Sequence, residues 1–560
     1  MTESSTLNES RAGANPIEKK RIGDLLKDEG IIGDREIGLA LLEQRSTRER
    51  VGDILLRLGL VTQTELAQAI AKQCKIEFLE LRNFFPQKEA LSSLPVQFAR
   101  DNSILPVWIE DGTLIIATSE PDNSKLIDLA SRISKKRIRC VVASPSQIQK
   151  HIEKDYYLLE HPLEEEINQQ LEHAKHDPQD VDTERLVRLL LMSAIDSRAT
   201  DIHFTPTNRT TQVHFRIDGI LHPFYTFPVE VHSRIISSIK VKTEMDISEQ
   251  RKPQDGRLTF DFLNENFDIR ISTLRVTHGE NMVMRILSTS EELYSIRSLG
   301  LDPEDLMKLE DLIHKPFGMF LVSGPTGSGK TTTLYAALRG LDSIEKNIVT
   351  VEDPIEYQFP LIRQTQVNEK AGYTFSGAVR AFLRQDPDVI LIGEIRDADT
   401  ATMGLRAAQT GHLVLSTVHA NDAVGAVPRL KDLGMKDYML SSSLICVIAQ
   451  RLVRALCPYC KEAYDSGDEE HRVFGIQLGT SIYAAKGCPR CLKTGYLGRL
   501  MVAEVLTVSK EIERLISNGA HPFEIKEKAI ENGMVTLRGD GVRKIISGRT
   551  SFAEVLRVLM

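Results

Sequence analysis

No stretch of this sequence stays apolar for long: runs such as Val389-Ile390-Leu391-Ile392 fall far short of the ~20 residues a membrane-crossing helix needs. Any role at a membrane is therefore expected to be peripheral. Surplus positive charge is also missing, with 70 Lys and Arg against 78 Asp and Glu and a net charge of −8. With no basic, aromatic-interleaved groove either, that balance argues against a nucleic-acid coat, and no nucleic-acid partner is expected. Residues 1–13 are polar and carry two acids, unlike a secretory signal, so the chain reads as cytoplasmic. Cysteine is scarce, at seven in 560 residues, and four of the seven fall in two C-x-x-C pairs. In a reducing compartment such pairs point to metal more readily than to disulfide. What remains is ordinary globular material, 41% apolar and 26% charged, with length for three or four domains.

The strongest chemical signal is one glycine-rich stretch. Gly324, Pro325, Thr326, Gly327, Ser328, Gly329, Lys330, Thr331 and Thr332 follow an apolar run at 319–322, which reads as a buried strand, and precede a helical pattern at 333–338. Strand, glycine loop and helix, in that order, are what a phosphate cradle requires. Glycine lets backbone N–H groups approach an anion, and the helix N-terminus adds its positive dipole end. Lys330 is expected to reach the β- and γ-phosphates of ATP, with the Thr331 hydroxyl on Mg²⁺.

Three further strand patterns end in groups suited to the same chemistry. Residues 347–351 end at Glu352-Asp353-Pro354-Ile355-Glu356, residues 388–392 lead into Gly393-Glu394, and residues 413–418 end at His419. Open α/β sheets place catalytic groups at the carboxyl ends of strands. Any one of these acids alone could be a helix cap, and either His419 or His412 a satisfied core residue. In this order along one sheet they make a phosphoryl-transfer site, with His419 able to hydrogen-bond a γ-phosphate.

The rest of the chain divides by composition. Residues 1–16 read as a flexible tail, and 17–157 as an N-terminal regulatory domain whose first part, 21–73, is an internal repeat. Arg21, Gly23, Gly30 and Gln44 of the first copy recur as Arg50, Gly52, Gly59 and Gln73 of the second, each copy reading as two helices joined through a glycine cap. Folding alone would not require the Arg or the Gln, although surface charge is the other reading of the arginines. A small α/β unit follows, with strands near 105–109, 113–117 and 139–143 and helices at 123–133 and 145–155. Residues 158–182, acidic and polar, read as a linker, and 183–290 as a second α/β domain on a sheet. Four arginines end or flank its strands: Arg216, Arg257, Arg270 and Arg285. The last block, 291–560, holds the phosphate loop and the cysteine pairs. Cys457 and Cys460, then Cys488 and Cys491, have metal-ligand spacing within pairs and 27 residues between them. Four thiolates fit a closed structural Zn²⁺ site. A redox dithiol is the alternative and would not need the second pair.

Taken together, Gly324 to Thr331, Thr350 to Tyr357, Arg384-Gln385-Asp386-Pro387-Asp388, and Thr410-Gly411-His412 through His419-Ala420 resemble the Walker A, Asp box, Walker B and His box of the secretion ATPases. That family comprises the motors of type II secretion and type IV pilus biogenesis. The resemblance implies an α/β multidomain chain: an N-terminal helical and α/β domain, a central PAS-like α/β sheet domain, and a C-terminal RecA-like ATPase domain with a tetracysteine zinc insert at 457–491. It implies Glu356 as general base, Glu394 as the metal-associated carboxylate and His419 as phosphate sensor. Arg270 and Arg285, with Arg380 and Arg384, match family arginines that reach the nucleotide. It implies a homo-hexamer working with an inner-membrane platform protein and a recruiting protein, peripheral to the inner membrane. The paired Arg, Gly and Gln positions resemble the N-terminal domain of mannose-sensitive haemagglutinin pilus ATPases, which binds cyclic di-GMP. Arginine can stack on guanine or grip a phosphate, and glutamine offers donor and acceptor. Two rivals stand beside this reading: a DNA-translocating RecA-type motor, and a regulatory module that binds nucleotide without turnover.

Overall fold

Within the repeat, each copy forms two helices because its apolar residues recur on one face and a glycine ends the first. The computed structural model describes residues 20–82, 84–288 and 295–560, so the tail expected over 1–16 lies outside the described residues. Helices Ile22–Asp28 and Asp34–Thr47 make the first copy, Val51–Arg57 and Gln63–Cys74 the second. Gly30 (φ 65°) and Gly59 (φ 72°) turn left-handed after the first helix of each copy. Ile31 N–H then reaches Leu26 O and Leu60 N–H reaches Leu55 O, both at 3.0 Å, closing the same glycine cap twice. Leu26, Ile32, Ala40, Ile54, Leu55 and Leu66 share one core.

The small α/β unit has the three strands expected. Ile104–Glu110 pairs antiparallel with Thr113–Thr118, which pairs parallel with Arg137–Val142. Helices Ser124–Ser134 and Pro145–Glu160 accompany them, the first capped by the Asn123 side chain and the second by Ser144.

The stretch read as a linker is a packed helix instead. Leu163–His176 buries Leu163, Ile167, Leu171 and Ala174 in the same core as Leu186, Leu190, Phe204 and Phe215. Its apolar residues are few but fall on one stripe, and the acids between them hide that stripe from a composition count. The sheet it helps cover has six antiparallel strands in the order Ile220–Pro228, Thr210–Ile217, Ala199–Pro206, Gly279–Ser288, Glu265–Val276 and Gln254–Phe262.

The third body is a seven-stranded sheet ordered Arg363–Gln366, Ile348–Glu352, Val389–Ile392, Leu413–Val418, Gly318–Ser323, Leu444–Leu456 and Tyr496–Thr507. Every pairing is parallel except the last. The four central parallel strands are buried on both faces, which is why they read as continuous apolar runs, whereas the edge strand Arg363–Gln366 is polar and part-exposed. Their carboxyl ends gather the glycine loop, Glu352, Glu394 and His419 at one edge.

The repeat rests on this third body. Arg339, near the end of the helix Lys330–Arg339, ion-pairs with Glu65, their side chains only 7% and 14% exposed. Arg297 Nη1 donates to Glu29 O at 2.7 Å, and Arg35 pairs with Glu345. Burial raises the Glu65 carboxyl, but the Arg339 guanidinium and the Thr62 cap outweigh it and hold the group below its ordinary value.

Candidate active site and metal centre

The glycine loop is shaped by positions that only glycine tolerates. Gly324, Gly327 and Gly329 have φ of 154°, 77° and 86°. A Cβ on Gly324 would lie 2.5 Å from Ser328 Oγ and 2.6 Å from Gln450 O, so the loop cannot close around a larger residue. Gln450, on the strand Leu444–Leu456 and fully buried, holds the loop from behind: its Nε2 donates to Ser328 O at 2.7 Å, and its Oε1 accepts from Thr333 Oγ1 at 2.8 Å. Lys330 Nζ folds onto Gly324 O and Pro325 O at 2.9 and 3.0 Å. Ser328 Oγ is buried with no partner among the described residues. An orphaned hydroxyl, a lysine and a helix N-terminus in one cradle fit a phosphate group.

This loop forms one wall of a cleft of about 510 Å³, which Lys330, Thr331, Thr332, Glu352, Glu356, Glu394 and His419 also line. The structure thus brings together the lysine, both acids and the histidine singled out from sequence. Glu394 is mostly buried, at 17% side-chain exposure, and ion-pairs with Arg396. Thr417 Oγ1 donates to Gly393 O at 2.8 Å and pins the strand end that carries Glu394. Burial first, then the Lys330 charge, lowers the His419 pKa below its ordinary 6.5, which keeps the imidazole neutral near pH 7. Burial also lowers the Lys330 pKa, against the Glu394 carboxylate that raises it. Thr331 and Glu394 are the oxygen donors suited to Mg²⁺.

Arg380 and Arg384 are not part of this cleft. Both are exposed at and beyond the end of the helix Phe375–Phe382, with Arg384 Nη1 donating to Arg380 O at 3.0 Å. Arg396 and Arg499 line it instead. Sequence reasoning missed both, along with Tyr335 and Gln450. The Arg396 position beside Glu394 was the one available signal.

The arginines of the central sheet form a feature of their own. Cross-strand register places Arg257 opposite Arg270, Arg270 opposite Arg285, Arg285 opposite Asp201, and Asp201 opposite Arg216. They make one row across five strands. Asp201 is buried and takes Arg285 Nε at 3.0 Å and Arg216 Nε at 3.6 Å. Arg270 Nε is buried with no hydrogen-bond partner among the described residues, and only a long ion pair to Asp268 at 3.8 Å. Like charges directly opposite one another destabilise a sheet, so this row carries an unbalanced positive charge. All of it but Arg216 lines a cavity of about 460 Å³ that shares no residue with the phosphate cleft.

In the repeat, the singled-out residues have structural partners. Gln44 Nε2 donates to Glu49 O at 2.9 Å, just before Arg50, and Gln73 Nε2 donates to Lys20 O at 2.7 Å, just before Arg21. Each glutamine therefore ties down the helix start of the other copy, so folding does give Gln a task, contrary to the sequence-based expectation. Arg50 pairs with Glu120 at 2.9 Å. A Cβ on Gly23 would sit 3.8 Å from Ile37, and one on Gly52 3.2 Å from Leu66, so both admit the next helix. On the turn glycines, a Cβ would meet Arg297 at 3.6 Å from Gly30 and Pro360 at 3.5 Å from Gly59.

The four cysteines of the two pairs converge, all their sulfurs within 4.8 Å of one another. Cys457 to Cys488, Cys460 to Cys491, and Cys488 to Cys491 stand at 3.9, 3.8 and 3.7 Å. A tetrahedron with ~2.3 Å Zn–S bonds has edges of about 3.8 Å, whereas a disulfide needs about 2.05 Å. The donor set fits Zn²⁺. Backbone N–H groups of Cys488 and Gly495 reach Cys491 Sγ at 3.1 and 3.2 Å. Against the burial that raises it, they draw that thiol down to about 7. Cys446 is a buried strand residue whose thiol burial pushes up.

Comparison with known proteins follows the same division of the chain. The family described as "Type II/IV secretion system protein" matches residues 176–557, and the "MshEN domain" matches 74–162. The second match begins where the repeat ends, so residues 21–73 fall outside it. "Type IV pilus assembly ATPase PilB" of Myxococcus xanthus is 38% identical over 556 residues, covering 96% of this chain and 98% of its own. "Type II secretion system protein E" of Dickeya dadantii is 39% identical over 485 residues, covering 83% and 96%. The X-ray structure of the Legionella pneumophila ATPase DotB aligns with a TM-score of 0.50 at 19% identity, covering 66% of this chain and 94% of that one, a likeness of fold. No described helix is long and apolar enough to cross a membrane. With its phosphate loop, acidic strand tips and cysteine cluster in the matched region, the chain belongs to the family of type II secretion and type IV pilus assembly ATPases, with an MshEN domain ahead of the ATPase body.

Proposed function

We propose that this ATPase is a homo-hexameric motor that hydrolyses Mg-ATP to drive pilin or pseudopilin assembly at an inner-membrane platform protein. One observation carries this reading: phosphate loop, Lys330, Glu356, Glu394 and His419 line a single cleft. In it, Lys330 and the loop N–H groups grip the triphosphate, Glu356 takes a proton from the attacking water, and His419, held neutral, hydrogen-bonds the γ-phosphate. Thr331 and Glu394 would hold Mg²⁺, which would neutralise phosphate charge. Arg270 and Arg285 lie apart from the cleft in one chain, so closure of the central sheet over a nucleotide, within the chain or from a neighbour, would deliver them. Hydrolysis that depends on closure is what couples chemistry to movement. We also assign the divisions 17–157, 163–290 and 291–560 as its working domains, the middle one taking in the helix Leu163–His176 that shares its core, with a structural Zn²⁺ on Cys457, Cys460, Cys488 and Cys491. The test is release of inorganic phosphate by the purified oligomer. Lys330→Ala is expected to reduce it by about 10² or more, since it removes a charge aimed at the transferring group. Equal turnover by the variant would end the motor reading.

The repeat is proposed to bind cyclic di-GMP through Arg21 and Arg50, with Gly23, Gly30, Gly52 and Gly59 allowing close approach and Gln44 and Gln73 fixing the arginine-bearing turns. Its contact with the phosphate-loop helix through Glu65 and Arg339 supplies a route from ligand to cleft. Calorimetric titration of cyclic di-GMP into the full chain should give saturable heat, and Arg21→Ala/Arg50→Ala should abolish it. An athermal wild type across several temperatures would remove the sensor assignment.

A further inference from the structure

We propose that the Tyr335 hydroxyl is a positioning group for ATP hydrolysis, tying the backbone at Glu356 to the helix that leaves the phosphate loop. Candidate base and phosphate cradle then move as one piece. The inference rests on the reading of Glu356 as general base and adds to it a residue that the sequence motifs do not mark.

Tyr335 sits on the helix Lys330–Arg339, which begins at the cradle lysine. It is buried, and its ring meets Phe359 edge-on at 5.3 Å and 85°. The hydroxyl has one proton and lone pairs, and both kinds of bond are used. It donates to the Glu352 carboxylate and accepts from the Glu356 N–H at 3.1 Å. A backbone N–H can only donate, so the hydroxyl oxygen accepts from Glu356 and its one proton is left for Glu352.

The surrounding bonds stiffen the same loop. Glu352 accepts further from Thr350 Oγ1 at 2.6 Å and from Gln364 Nε2 at 3.1 Å. Gln364 in turn donates to Tyr357 O at 2.9 Å and accepts from Phe359 N–H at 2.7 Å. The backbone is therefore held at Glu356, Tyr357 and Phe359 by side chains on the phosphate-loop helix and on the edge strand Arg363–Gln366. Glu356's own carboxylate makes no hydrogen bond among the described residues and lines the cleft, so its aim depends on its backbone. A general base must lie within hydrogen-bond reach of its proton, and a displacement of ~1 Å costs about 10² in rate.

Tyr335→Phe removes the oxygen and keeps the ring. Glu352 keeps its Thr350 and Gln364 donors on Oε1, while Oε2 gives up its Tyr335 donor, so some loss of stability accompanies the variant. Purified wild type, Tyr335→Phe, Glu356→Gln and the double variant are compared for kcat, KM for ATP, binding of a fluorescent ATP analogue, and melting temperature. The expected result is a ten- to hundredfold lower kcat for Tyr335→Phe, with KM and analogue binding little changed and a modestly lower melting temperature from the bare Glu352 Oε2. The double variant should be no slower than Glu356→Gln alone, because the hydroxyl acts through that residue. Wild-type kcat in Tyr335→Phe overturns the positioning role, as does a joint fall in binding and melting temperature, which marks plain structural damage. Full turnover by Glu356→Gln instead removes the general-base reading and the proposal with it, a different outcome from failure of Tyr335→Phe alone.

Discussion

Arg270→Ala should lower the rate of ATP hydrolysis by about 10³ or more while leaving the protein at least as stable as wild type. Arginines that neutralise the transferring phosphoryl group are worth 10³ to 10⁵ in rate. The stability half of the expectation comes from the sheet. Arg270 stands between Arg257 and Arg285 across adjacent strands, its Nε without a hydrogen bond and in a long ion pair with Asp268 at 3.8 Å. Deleting it relieves repulsion from two arginines and gives up only that long pair to a half-buried acid, which contributes little. Arg285→Ala differs, because it withdraws one of the two cations on buried Asp201 and should lose stability as well as rate. Steady-state turnover and thermal melts of both variants check this. An Arg270→Ala protein that melts as wild type and hydrolyses at the wild-type rate would show the row to have no part in the reaction.

The second large effect concerns the cysteine cluster. The full chain should contain one zinc per molecule, and a strong chelator or Cys460→Ser should unfold the two knuckles at 457–461 and 487–495, while the stretch between them stays held by Phe474, Ile476 and Ile482 packed with Ile545 and Phe552. Binding at four-thiolate sites in small peptides is worth about 10–16 kcal/mol at neutral pH, and that energy becomes folding energy where no other core exists. The local apolar cluster here consists of Cys457, Cys491 and Leu497, with Phe85, Cys460 and Cys488 packed against it, so the sulfurs are themselves most of the core. Cys457 N–H also bonds Gly495 O at 3.0 Å, tying the knuckle to the turn that leads into the strand Tyr496–Thr507. Damage should thus reach the antiparallel edge of the seven-stranded sheet. Metal content by atomic emission, with limited proteolysis before and after chelation, provides the measurement. A metal-free chain with the same proteolytic pattern as the loaded one would contradict it.

Features set by short-range rules were legible in the sequence. The phosphate loop is one, because its glycines are required by local dihedral angles and its lysine by position on the following helix. The C-x-x-C pairs are another, since a two-residue gap already brings two sulfurs to one ion. The repeat is a third, its glycine caps and apolar stripes being local, and the continuous apolar runs marked the parallel strands. Tertiary structure decided what depends on register and on remote partners. Only strand pairing lines up Arg257, Arg270, Arg285, Asp201 and Arg216, residues spread from 201 to 285. Only the packed fold turns the acidic stretch at 163–176 into a core helix, sets Gln450 behind the phosphate loop, keeps Arg380 and Arg384 out of the cleft, and brings Tyr335 between Glu352 and Glu356. The division has a physical cause. A backbone angle or a ligand gap is fixed by a few neighbouring residues, whereas a side chain's partner across a sheet changes with a one-residue slip that leaves the local pattern intact.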